Sequence, residues 1–127
     1  MVLYLVVVGL ITLTPASPTA HGVMWHVARL LHRLPGTGWV TEPGLELTAN
    51  IIMFVPLGLL GVPLVGRARW WWVVVAGVAL TCFIELVQHW IPGRVPDVRD
   101  LVANTSGALL GAWVVLLVAR LRQARTG

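Results

Sequence analysis

Three apolar stretches, Leu45 to Val65, Trp70 to Ile91 and Leu101 to Ala119, each approach the roughly 20 residues that an α-helix needs to cross a ~30 Å hydrocarbon layer. Backbone groups inside lipid must be satisfied within their own segment, so each stretch is read as a helix. A fourth run, Met1 to Leu13, continues through Pro15 and small residues to Ala20, just long enough to cross. The chain has 127 residues, of which 57% are hydrophobic and 11% charged, so no room remains for a separate soluble catalytic domain. The expectation is one all-α domain, residues 1–127. It would be a polytopic membrane protein built as a bundle of four transmembrane helices, with spans at about 1–20, 45–65, 70–91 and 101–119.

The amino end has no basic region, and the Pro15 to Pro18 stretch is a poor cleavage site, so the first run is read as a retained helix rather than a signal peptide. Its shortness suggests that a few residues are missing upstream. Between the first two spans, Val23, Val27, Leu30, Leu31 and Leu34 recur at helical spacing beside Trp25, which predicts a short helix lying in the interface before a turn at Pro35 to Gly38. Pro56, Gly58, Gly61 and Pro63 predict a bent second span that neighbours approach closely. Trp70, Trp71, Trp72 and Trp90 stand at the ends of the third span, as an interfacial aromatic belt would.

The nine basic residues are all arginine, against five acids. Most arginines flank apolar runs and none forms a basic stretch interleaved with aromatics, so the net charge of +4 is assigned to topology and lipid headgroups, with no nucleic-acid partner. Arg67, Arg69, Arg120, Arg122 and Arg125 then mark the cytoplasmic side, against Arg29, Arg33, Arg94 and Arg99 outside, with both termini cytoplasmic. Cys82 is alone, so neither an internal disulfide nor a thiolate metal cluster is expected.

The scarce polarity falls on helix faces. Glu85, Gln88, His89 and Pro92 have i, i+3, i+4, i+7 spacing, and Asp100, Asn104, Gly107 and Gly111 share a second face. Asp97 is placed to cap the fourth helix, with Asp100 in its first turn. The pair Gly107 and Gly111 lets another helix backbone come close. Counting ~1.5 Å per residue from the helix ends, Asn50, Glu85 and Asn104 reach similar depth on one side. The candidate site is therefore an outward polar pocket of Glu46, Asn50, Glu85, Gln88, Arg94, Asp97, Asp100 and Asn104, with Pro56, Gly58, Gly107 and Gly111 as packing residues.

Each feature also has a plainer reading. The polar groups could simply tie helices together, for example Glu85 with Arg94 or Arg99, and Asp97 and Asp100 could be helix-start chemistry alone. His21, His26 and His32 lack metal-ligand spacing and suit the membrane surface, and Trp90 gives His89 the same address.

Asn50-Ile51-Ile52-Met53-Phe54-Val55-Pro56-Leu57-Gly58, followed by Glu85-Leu86-Val87-Gln88, Pro92-Gly93-Arg94, Asp97, Asp100, Asn104, Gly107 and Gly111, resembles the hallmark motifs of the VanZ-like family. The resemblance runs from Glu46 to Gly111. The first helix matches only as an apolar run followed by a polar loop. The resemblance implies a small bacterial integral membrane protein of about four helices in the cytoplasmic membrane, with a cell-envelope role. The family is named for a member associated with teicoplanin resistance and supplies no well-established reaction.

Three functions remain open. One is a noncatalytic pocket for an anionic lipid headgroup or a lipid-linked wall precursor. Here Arg94 and Arg99 would pair with phosphate or carboxylate, and Asn50, Gln88 and Asn104 would donate hydrogen bonds. Another is a lipid-headgroup enzyme with Glu85 as general base and Asp97 and Asp100 orienting a divalent cation. The last is a small transporter, which four helices provide only as an oligomer.

Overall fold

A computed structural model describes residues 1–14, 26–37, 40–92 and 97–126. All regular structure among them is helical. The main elements are α1 (Val2–Leu13), α2 (Glu42–Val65), a 3-10 turn (Arg67–Arg69), α3 (Trp70–Gln88) and α4 (Val98–Thr126). Three segments, Glu42–Val65, Arg67–Gln88 and Val98–Arg125, are long and apolar enough to cross a membrane.

The first expected span is shorter than the composition suggested. α1 has 12 residues, which span about 18 Å, and Thr14 is already extended at φ −77° and ψ 139°. Thr14 precedes Pro15, whose ring disfavours the helical region for the residue before it. The expected continuation to Ala20 lies outside the described residues. In the connection that follows, residues 26–31 are helical and Gly36 takes φ 84°, a left-handed value that suits glycine. Val23, Trp25 and Gly38 lie outside the described residues.

α2 begins three residues before the expected Leu45. Thr41 accepts from the Gly44 N–H at 3.2 Å and Pro43 occupies the first turn. Pro56 and Pro63 stand inside a helix that continues through both of them for 24 residues. Gly66 ends it at φ 85° and ψ 149°, a conformation open essentially to glycine. α3 stops at Gln88 rather than Ile91, because the N–H groups of Trp90 and Ile91 turn back to the carbonyls of Val87 and Gln88 ahead of Pro92. α4 runs past Ala119 through the arginine tail.

The tightest packing joins α2 to α4. A Cβ added to Gly58 would stand 2.3 Å from the Ala108 oxygen. One on Gly107 would stand 2.2 Å from the Ile51 oxygen, and one on Gly111 2.1 Å from the Val55 oxygen. Only hydrogen fits at these three places, so the two backbones touch. The pairing of 107 with 51 and 54, and of 111 with 55 and 58, makes α2 and α4 parallel. α3 runs in the opposite direction and packs against both, with Gly77 against Ala108 and Leu57. The core is formed by Phe54, Leu57, Val62, Val73, Ile84, Ala108 and Ala112, and α1 adds Val8.

Candidate functional site

The helix registers collect polarity at one end. Asn104 is 2% exposed and donates through Nδ2 to Thr81 Oγ1 at 2.8 Å. With 81 opposite 104 and 77 opposite 108, the antiparallel register brings position 85 level with 100. The parallel register of α2 and α4 brings Asn50 to the level of Asn104, and Glu46 to that of Asp100. Asn50 is half-buried and Glu46 exposed.

Glu85 sits where α3 meets the start of α4. Its Oε2 accepts from the Asp97 N–H at 2.9 Å, and Asp97 and Asp100 both lie within electrostatic reach of it. Asp97 Oδ1 in turn accepts from the Arg99 N–H at 2.8 Å, so the aspartate caps α4 while its own N–H holds the glutamate. Asp100 stands in the first helical turn, where its charge complements the helix dipole. Arg94 lies outside the described residues.

The polar face expected on α3 divides. Successive helical residues point about 100° apart, and that separation decides the fate of Gln88 and His89. Gln88 turns inward and donates to the Thr12 carbonyl at 2.9 Å, satisfying one of the carbonyls that the end of α1 leaves open. His89 is exposed, edge-on to Trp90 at a ring-centroid distance of 5.7 Å. Glu85 lies between them, half-buried.

A cleft of about 430 Å³ opens beside Glu85. Cys82, Leu86, Val98 and Leu101 form its apolar part, and Glu85, His89 and Asp97 its polar part. Glu85 Oε1 is buried, with no hydrogen-bond partner among the described residues, and the same holds for Asn104 Oδ1. Buried polar atoms are normally paired, so two open acceptors near one end of the bundle mark it chemically. Among the described residues, no three His, Cys, Asp or Glu side chains are grouped so as to hold a metal ion.

Three tethering residues escaped the sequence reading. Thr81 was legible as the residue one turn before Glu85, but a lone threonine in an apolar helix more often bonds its own backbone. Thr12 enters through its carbonyl, which has no side-chain signature. Tyr4 ties α1 to α2 by donating to the Met53 carbonyl at 3.0 Å. The bonds of Tyr4 and Gln88 together lay α1 along the half of the bundle that carries Glu85.

The opposite end is basic. Arg67, after α2, and Arg122, near the end of α4, border one groove, while the chain's five acids, Glu42, Glu46, Glu85, Asp97 and Asp100, stand at the other ends of the helices. The family model described as VanZ/LLP1 matches residues 1–119. No curated protein and no solved structure gives a significant match.

Proposed function

The chain belongs to the VanZ/LLP1 family, and on that premise we propose that it is a cell-envelope protein of the bacterial cytoplasmic membrane whose acidic end binds a lipid headgroup. The ligand is a phospholipid or a lipid-linked wall precursor. The observation that carries this reading is Glu85 in the wall of an amphipathic cleft, with one carboxylate oxygen buried and without a partner among the described residues. A cleft lined by Cys82, Leu86, Val98 and Leu101 together with a carboxylate pair and an imidazole suits an amphipathic molecule. Glu85 and Asp97 accept from hydroxyl or amine groups of the headgroup, and Arg99 pairs with its phosphate, the role that the sequence also suggests for Arg94.

Five arginines favour the cytoplasm for the opposite end, and with it the carboxyl terminus, which leaves the cleft facing outward. The amino terminus joins that side if α1 is part of a fourth crossing. Reduced teicoplanin susceptibility is the phenotype that precursor binding would produce.

Lipid extraction from the purified protein tests the reading. The wild-type protein should retain one headgroup class in excess over the bulk membrane. Glu85→Gln, with an unchanged circular dichroism spectrum, should retain several-fold less. Retention identical to the bulk lipid in both proteins would refute it.

A further inference from the structure

The arginine end carries a second groove, on the far side of the bundle from Glu85. It is open and measures about 660 Å³, within the roughly 300–1,000 Å³ typical of ligand sites. Val62, Pro63, Val115 and Val118 are among the apolar residues between the ends of α2 and α4 that line it, while Arg67 and Arg122 stand at its border. Arg69, Arg120 and Arg125 belong to the same end, and no aspartate or glutamate lies within residues 47–84 or 101–127.

We propose that this groove is a site for an anionic phospholipid of the leaflet at the arginine end, with an acyl chain between α2 and α4 and the phosphate on Arg67 and Arg122. The groove arises from the fold. Gly58, Gly107 and Gly111 bring α2 and α4 into backbone contact. Nearer the arginine end the facing residues are larger, Val62 and Pro63 on one helix and Val115 and Val118 on the other. A guanidinium offers planar paired donors that match phosphate oxygens, and two of them at the mouth of an apolar groove complement a negative headgroup on a hydrocarbon chain. A zwitterionic lipid would fill the same groove with less electrostatic gain, and a second copy of this chain would bring five further arginines against these.

The site is independent of the Glu85 cleft, and the test separates them. The protein is placed in nanodiscs of phosphatidylcholine with one quarter phosphatidylglycerol, and lipids retained after ejection are weighed by native mass spectrometry. Phosphatidylglycerol should be retained in preference to phosphatidylcholine. The preference should fall about fivefold for each arginine replaced in Arg67→Gln and Arg122→Gln. Ala119→Phe, which fills the groove without changing charge, should lower total retention, and the fall in preference caused by Arg67→Gln should be the same with and without Glu85→Gln, as independent sites require. Three results would overturn the proposal: retention indifferent to headgroup charge, a preference untouched by both arginine variants, or retention by Ala119→Phe equal to wild type. A dimer that forms in place of lipid retention and is lost in Ala119→Phe would assign the groove to a second copy and equally refute it.

Discussion

The α2–α4 seam and the acidic end of α3 both hold helices together, but by opposite means. Along the seam Gly58, Gly107 and Gly111 remove side chains until backbones meet, and the contact at these glycines is close packing. At the acidic end Gln88, Glu85 and Asn104 reach across gaps to the Thr12 carbonyl, the Asp97 N–H and the Thr81 hydroxyl. Without a hydrophobic driving force between helices in lipid, association rests on close packing and interhelical hydrogen bonds, and this chain assigns the two to different places. The seam has no spare valence. The acidic end keeps two buried oxygens without partners among the described residues, and that incomplete pairing distinguishes it from the seam.

The sharpest way to break this contrast is to overpack the seam. Gly111→Ala places a methyl where 2.1 Å separates it from the Val55 oxygen, and backbone cannot swing aside as a side chain does. It should lower unfolding free energy in a detergent titration by about 3 kcal/mol, the upper part of the usual range for overpacking. A variant as stable as wild type would show that the seam is loose.

A smaller and more local effect is expected from Gln88→Leu, which strips the Thr12 carbonyl of its donor. The loss should be about 1–2 kcal/mol, seen as faster hydrogen exchange throughout α1 while α2 and α4 stay protected. Uniform acceleration would mean that α1 is integral to the seam rather than attached beside it.

Weaker still is the Asn104 to Thr81 bond. A double-mutant cycle with Asn104→Ala and Thr81→Ala should give a coupling near 0.6 kcal/mol, the average for hydrogen bonds between membrane helices. A value several times larger would turn the acidic end into a principal stabiliser and erase the distinction.

Glu85→Gln should change stability least. The amide keeps an oxygen for the Asp97 N–H, and the melting temperature should stay near that of wild type while lipid retention drops. A large destabilisation with retention intact would make Glu85 structural glue.

Much of the fold was legible because it follows from one-dimensional periodicity. The three long helices, the Asp97 cap, the acid in the first turn of α4 and the close approach at Gly107 and Gly111 need only the chain's own spacing. The described residues do not confirm the fourth span: α1 ends at Leu13 with Thr14 extended ahead of Pro15, and the expected continuation to Ala20 lies outside them. The candidate site was legible as a level in the bundle and not as a set of contacts. Gln88 and Glu85 looked like members of one face, and the structure gives one to α1 and the other to the start of α4.

By itself, then, the sequence determined an all-helical membrane protein with an acidic end and an arginine end, since hydropathy fixes which residues enter lipid and charge collects where water begins. Only the tertiary structure decided which polar group meets which. Helical spacing orders residues around one axis but leaves the rotation of that axis against its neighbours free. The glycine seam sets that rotation for α2 and α4, and Gly77 against Ala108 and Leu57 seats α3, so that Asn104 meets Thr81, Gln88 meets α1 and Glu85 meets the start of α4.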